Sequence, residues 1–282
     1  MKAELPIKKS KKEIEFYQKY CTIFGDILYT LYNDLKQSKI NAPLELEKRY
    51  TSLVESQWRK ANDDRFLYCH YPFSYQKNHL GNEFINKICV SVNDVIAHGI
   101  PTNKEFQLGD VISVDLGLAL HIDMRLLNFD SAFTVVYGEK EQPDWVLATR
   151  QALCNILDTQ VKNVFDTAVQ IYKTAKEYNL YVVTELTGHG IGYELHEEPR
   201  IRNVPGMYSN TDFFEGLVFC AEPVYVLPDG NNDGNRIAKI HIDSDGWSIR
   251  TNSSQPGSHF ETMFAIIDGT LVDLCGITKW KC

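Results

Sequence analysis

VISVDLGLALHIDMRLLNFDSAFTVVYG, residues 111–138, is the stretch whose reading decides the fold. Val111 to Leu118 alternates, with Ile112, Val114, Leu116 and Leu118 on one side, which is the period of a strand. Phe129 to Tyr137 is β-branched and aromatic and stops at Gly138, which predicts a second strand. Each strand carries a carboxylate inside an apolar run, Asp115 in the first and Asp130 in the second. A charge so placed is rarely left without a partner.

Toward the N-terminus the signals are helical. Ser10-Lys11-Lys12-Glu13 reads as a capping box. Ile14, Tyr17, Cys21, Phe24, Leu28, Leu31 and Leu35 then recur at steps of three and four, the stripe of a helix with one buried face. Asn41 and Pro43 open a second helix that is expected to run to about Glu55. Asp63 to Lys87 has no period and reads as a long irregular segment, a kind of loop that is often functional.

Toward the C-terminus, Pro143 starts a helix, and Asp166 is expected to cap another whose Ala168, Ile171, Tyr172 and Ala175 share a face. Strands are expected at Tyr181–Leu186, Leu217–Leu227, Arg236–Ile242 and Phe260–Ile267. Helices, strands, helices and strands in that order predict an α+β fold, a mostly antiparallel sheet covered by helices. The order also hints at two similar halves, without a residue-level repeat. No Gly-, Ser- or Pro-rich linker divides the chain, so residues 1–282 are expected to form one catalytic domain.

The chain has 282 residues, 44% of them apolar, enough for a large core. A net charge of -8 gives no reason to expect a nucleic-acid partner. No apolar run approaches the roughly 20 residues of a membrane span, and Met1 to Lys12 lacks the apolar stretch of a signal peptide. Seven cysteines, an odd number without a C-x-x-C pair, fit a reduced cytoplasmic protein better than a disulfide framework.

Besides Asp115 and Asp130, three segments carry chemistry. They are Gly188-His189-Gly190-Ile191-Gly192 with Leu195-His196-Glu197-Glu198-Pro199, then Phe219-Cys220-Ala221-Glu222-Pro223, then Ser258-His259-Phe260-Glu261-Thr262-Met263. A lone strand aspartate is more often an ion-pair partner than a ligand, and the glycine run lacks the G-x-G-x-x-G spacing of a phosphate loop. The joint occurrence is what counts. Four carboxylates buried together need compensating charge. Two divalent cations would balance Asp115, Asp130, Glu222 and Glu261, with His189 as a neutral ligand. Oxygen ligands with one imidazole suit Mn, Fe(II), Co or Zn.

These segments, with Cys89-Val-Ser-Val-Asn-Asp-Val-Ile-Ala-His98-Gly-Ile-Pro101, Gly109-Asp110 and Asp245-Gly246-Trp247, resemble type 1 methionine aminopeptidases of the pita-bread metallopeptidase superfamily. The likeness runs from about Pro6 to Leu274. It implies a pita-bread fold and a dinuclear hydrolase that cuts the N-terminal residue from peptides or nascent proteins. It implies Asp130 and Glu261 as bridging ligands, Asp115 on one cation, and His189 with Glu222 on the other. It further implies Glu222 as general base, with His98 and His196 as substrate contacts. A monomer is expected. The sequence carries no type 2 insertion, and a prolidase-like large N-terminal domain is not expected. Two alternatives stay open: a pita-bread peptidase with altered first-residue specificity, and a non-catalytic peptide-binding domain.

The sequence departs from the family in two places. Asp115 and Asp130 stand 15 positions apart, four more than usual. If the two strands form a hairpin, two extra residues per arm keep both carboxylates on one face, and Asp123 falls at the tip as a turn residue. The specificity pocket also differs. Phe84 and Trp247 keep aromatic positions, but Gly81, Asn78, Leu195 and Ala97 stand where tyrosine, cysteine, phenylalanine and cysteine are common. Either the pocket is wider, or Tyr71, Phe73 or Tyr75 refills it.

Overall fold

A computed structural model describes residues 5–61, 69–74, 76–78, 80–206, 210–230 and 236–281. The 111–138 stretch forms the hairpin that organises the molecule: β3 (Val111–Ile122) and β4 (Arg125–Val136) pair antiparallel along their whole length. Asp123 sits in the two-residue turn with φ 53°, and Lys12 pairs with it. Asp115 faces Ala132 and Gly117 faces Asp130. The two aspartates therefore lie two positions apart on the same face, as the even insertion requires.

Helix α1 (Lys11–Lys36) covers the other face. Its capping box is complete, with Ser10 accepting from the Glu13 amide and Glu13 returning to the Ser10 amide. The predicted stripe from Ile14 to Leu35 is buried. Tyr17 and Phe24 pack their rings 5.1 and 6.2 Å from that of Phe129 on β4. Each such buried ring contributes about 1.5–3 kcal/mol. Helix α2 (Pro43–Ala61) runs six residues beyond the expected end at Glu55, because no breaker stops it there.

Among the described residues the strands fall into four antiparallel sheets. β1 (Ile88–Val92), which the sequence reading missed, pairs with β3. A five-stranded sheet contains β6 (Gly188–Gly190), β7 (Glu197–Ile201), β8 (Val218–Ala221), β13 (Thr262–Ile267) and β14 (Thr270–Asp273). Two small sheets hold β2 (Val95–Ala97) with β10 (Ile240–Ile242) and β11 (Ile249–Thr251), and β5 (Tyr181–Val182) with β9 (Val224–Val226) and β12 (Gly257–His259). The strand expected over Leu217–Leu227 is thus broken at Glu222-Pro223. A proline has no amide to donate to a ladder.

Helices α3 (Asp144–Asp158) and α4 (Val164–Glu177) pack together. Asp166 does not cap α4. Asn163 does, accepting from the Asp166 amide at 2.8 Å, which leaves Asp166 as the acidic residue of the first turn. The α+β class and the antiparallel pairing expected from the sequence describe the molecule. The described part of 63–87 is irregular apart from isolated bridges at His70 and Lys77.

Candidate metal centre

A single bridge brings the chemistry together. Ala132 on β4 pairs with Glu261 at the start of β13, so the hairpin meets the five-stranded sheet there. Ser131 Oγ donates to the Glu261 carbonyl at 2.6 Å and fixes the junction. Asp115, Asp130, His189, Glu222 and Glu261, from both sheets, line one cavity of about 110 Å3. His98 and His196 line it too, with Phe84, Leu195 and Trp247. The expected ligands, both substrate-contact histidines and the retained pocket positions Phe84, Leu195 and Trp247 therefore border the same space.

His189 is held in one tautomer. Its Nδ1 lies 2.9 Å from the Gly190 carbonyl and donates to it, leaving Nε2 bare. Nε2 faces Glu222 Oε1 at 3.5 Å and Asp130 Oδ2 at 3.9 Å. The glycines of Gly188-His189-Gly190 serve close packing, since β6 lies between β7 and β8. A Cβ on Gly188 would strike the Cys220 carbonyl, and one on Gly190 the Glu198 carbonyl. The phosphate-loop alternative has no helix to feed.

The electrostatics ask for cations. Burial pushes the Asp115 carboxyl up to about 7. Burial, then the neighbouring carboxylates, lifts Asp130, Glu222 and Glu261 well above the ordinary range. Burial and His196 lower His189 to about 3, so the imidazole stays neutral. Asp115 Oδ1, Asp130 Oδ1 and Glu261 Oε1 are buried without a hydrogen-bond partner. No lysine or arginine is among the lining residues described. Ligand atoms of Asp115, Asp130 and Glu261 lie within 4.8 Å of one another. Unpartnered oxygens at that spacing, with one bare imidazole nitrogen, fit divalent cations.

His98 sits just after β2 with φ 53°, a conformation that costs a non-glycine residue roughly 1–3 kcal/mol. Gly99, whose amide bonds to Ser91 and whose carbonyl accepts from Val90, holds it there. His196 stands edge-on to His189, ring centroids 4.4 Å apart. Its loop is clamped by Glu197, whose Oε1 accepts from the Tyr193 and Glu194 amides.

The sequence reading missed what clamps Glu197. Lys9 Nζ lies 2.6 Å from Glu197 Oε2, both side chains buried. No local signal marks one lysine of Lys8-Lys9, just before a capping box, as buried. Removing one partner of such a pair leaves an uncompensated charge. Lys9→Met is expected to lower unfolding free energy by about 3–5 kcal/mol, with partial recovery on adding Glu197→Gln. Urea unfolding checks this; a loss of a few tenths of a kcal/mol would mean that the pair behaves like a surface one.

The apolar wall of the cavity is Phe73, Phe84, Leu195 and Trp247. The Phe84 and Trp247 rings are 5.3 Å apart. Of the three rings considered as replacements, Phe73 reaches the cavity. Tyr71 packs on Tyr50, ring centroids 5.8 Å apart, and Tyr75 lies outside the described residues. Asn78 takes no part in the wall: its Oδ1 accepts from the Leu80 and Asn82 amides in a turn. Gly81 in that turn has φ 79°, which favours glycine. Ala97 packs in a separate cluster with Ile96 and Val224.

Comparison with known proteins agrees with this geometry. Residues 45–266 match metallopeptidase family M24, and the chain belongs to that family. It is similar to the methionine aminopeptidase of Borreliella burgdorferi, 32% identical over 66% of this chain and 71% of the relative. It is also similar to that of Aquifex aeolicus, 30% identical over 91% and 93%. Among solved structures, methionine aminopeptidase from Thermotoga maritima superposes with a TM-score of 0.77 at 23% identity, over 96% of this chain and 99% of that one. Prolidase from Pyrococcus furiosus gives 0.63 at 19%, over 98% and 66%. The fold is therefore the pita-bread fold. No helix among the described residues is long and apolar enough to cross a membrane.

Proposed function

We propose that this chain is a metal-dependent aminopeptidase that removes the first residue, methionine, from peptides and newly made proteins. The observation that carries the reading is the convergence of Asp115, Asp130, Glu222, Glu261 and His189 on one cavity without a lysine or arginine. Its single catalytic domain holds two divalent cations, from among Mn, Fe(II), Co and Zn. Asp115, Asp130, Glu261, His189 and Glu222 would hold them, the carboxylates balancing their charge and His189 giving a neutral nitrogen. When bound, the cations supply Lewis acidity and a nucleophile from water at neutral pH.

The chain's own residues do the rest. The Glu222 carboxylate takes the proton of the attacking water and returns it to the leaving amine. A His196 N–H stabilises the oxyanion of the scissile carbonyl, and His98 contacts the amide beyond the bond. Phe73, Phe84, Leu195 and Trp247 receive the methionine side chain. The protein acts as a monomer in the cytoplasm. The test is digestion of peptides differing only in the first residue, with each of the four metals and with a chelator. Release of the first residue in metal alone is expected; cleavage at internal bonds, or no release with any metal, would overturn the reading.

Two further outcomes follow from the cavity. Asp115 keeps its proton up to about pH 7, and each cation displaces protons from its ligands. Affinity should therefore rise with pH through that value. His189, held neutral, does not compete for protons near neutrality. Calorimetry in buffers of different ionisation heat should show protons released near pH 6 to 7; no release would contradict the assignment. In the pocket, Phe73→Ala removes a ring that is 9% exposed. Preference for methionine over leucine or phenylalanine should weaken by about tenfold or more in kcat/KM. Unchanged ratios would place Phe73 outside the pocket.

A further inference from the structure

The centre has a sulfur at its edge. Cys220 lies on β8 two residues before Glu222 and is fully buried. In β8–β13 it stands opposite Met263, so its side chain shares a face with Glu261, two residues earlier on the β13 side. On the other side of β8, Gly190 of β6 pairs with Phe219. This register puts His189 on the Cys220 face as well. Ligand atoms of His189, Cys220 and Glu261 all lie within 4.8 Å of one another. Glu261 is 2% exposed, and its Oε1 has no hydrogen-bond partner. A buried cysteine is often a small apolar filler. Here the thiol instead lies beside the His189 imidazole and hydrogen-bonds the Glu261 carboxylate.

We propose that Cys220 is a ligand of the cation held by His189 and Glu261. The thiol gives its proton to solvent as its sulfur binds the metal. That half of the centre becomes a nitrogen–sulfur–oxygen site, which suits Zn or Co better than Mn. The proposal rests on the metal-centre reading above and adds a ligand to it.

Cobalt(II) is the probe, added to the purified full-length chain without oxygen or added thiols, with bound metal counted. Visible d–d bands are expected together with an intense near-ultraviolet thiolate-to-cobalt band. X-ray absorption of the zinc-loaded protein should show sulfur at about 2.3 Å. The thiolate band should vanish in Cys220→Ser and persist in Cys89→Ala. Cys89 lines the cavity itself and lies across from Asp115, whereas Cys220 sits behind His189 and Glu261. Visible bands without the thiolate band would remove Cys220 from the ligand set and leave the metal centre standing. A band lost in Cys89→Ala would give the sulfur to Cys89 and overturn the proposal. Absence of bound cobalt would sink the metal-centre reading and this one together. Should Cys220→Ser fail to fold, the wild-type spectrum still shows whether sulfur binds, and Cys89→Ala shows whether it is the Cys89 thiol.

Discussion

Glu222→Gln is expected to lower kcat by about 10²–10⁴, the range for loss of a general base. Glu222 follows β8 at the break before Pro223, and its Oε1 reaches to 3.5 Å from His189 Nε2. Glutamine keeps the shape but cannot take a proton, and it removes one negative charge from the cavity. The two losses are separable. Metal content reports the ligand role, and kcat under saturating metal reports the proton transfer. Glu222→Asp retains the carboxylate on a shorter arm, so it should recover part of the rate. Turnover like that of the unmodified enzyme in Glu222→Gln, with metal bound, would remove Glu222 from the proton path.

The legible parts of this protein are those where one stretch of chain carries its own signal. The capping box at Ser10 and the apolar stripe behind it gave α1 within a residue. The parity of the insertion between Asp115 and Asp130 predicted a shared face, because strand side chains repeat every two residues, and the register has them there. The short strands were harder. β5, β10 and β11 are two or three residues long, and β5 and β11 also depend on partners far along the chain, β9 and β2. β1 was hidden because Ile88–Val92 is buried on both faces, which erases alternation.

The candidate site divides in the same way. Asp115, Asp130, His189, Glu222 and Glu261 could be picked out because each polar residue interrupts an apolar strand or a glycine run. What supports them could not. Lys9 finds Glu197 at a separation of 188 residues. Asn203 donates to the carbonyls of Leu186 and Glu222 and ties down the chain at Glu222. Phe73 was one of three candidate rings, and only tertiary packing selected it. Contacts of this kind leave no periodic trace, since each is set by how separate elements meet.

His196→Ala is expected to lower kcat/KM by about 10²–10³, the loss typical of removing one oxyanion donor, while both cations stay bound. His196 borders the cavity beside His189, its ring perpendicular to that one. Burial, and then the charge of Arg200, lowers its pKa, so the ring is neutral at neutral pH and donates one N–H. A neutral donor contributes most when charge develops on the scissile carbonyl, so the loss should fall on kcat more than on KM. His196→Gln, which keeps an N–H on a side chain of similar length, should recover part of the rate. Metal content separates this role from its rival. If His196→Ala strips a cation, the imidazole is a ligand and the assignment of His189 as the sole histidine ligand is wrong. If turnover is unchanged with both metals in place, the oxyanion is held by other groups and His196 only fills space above His189.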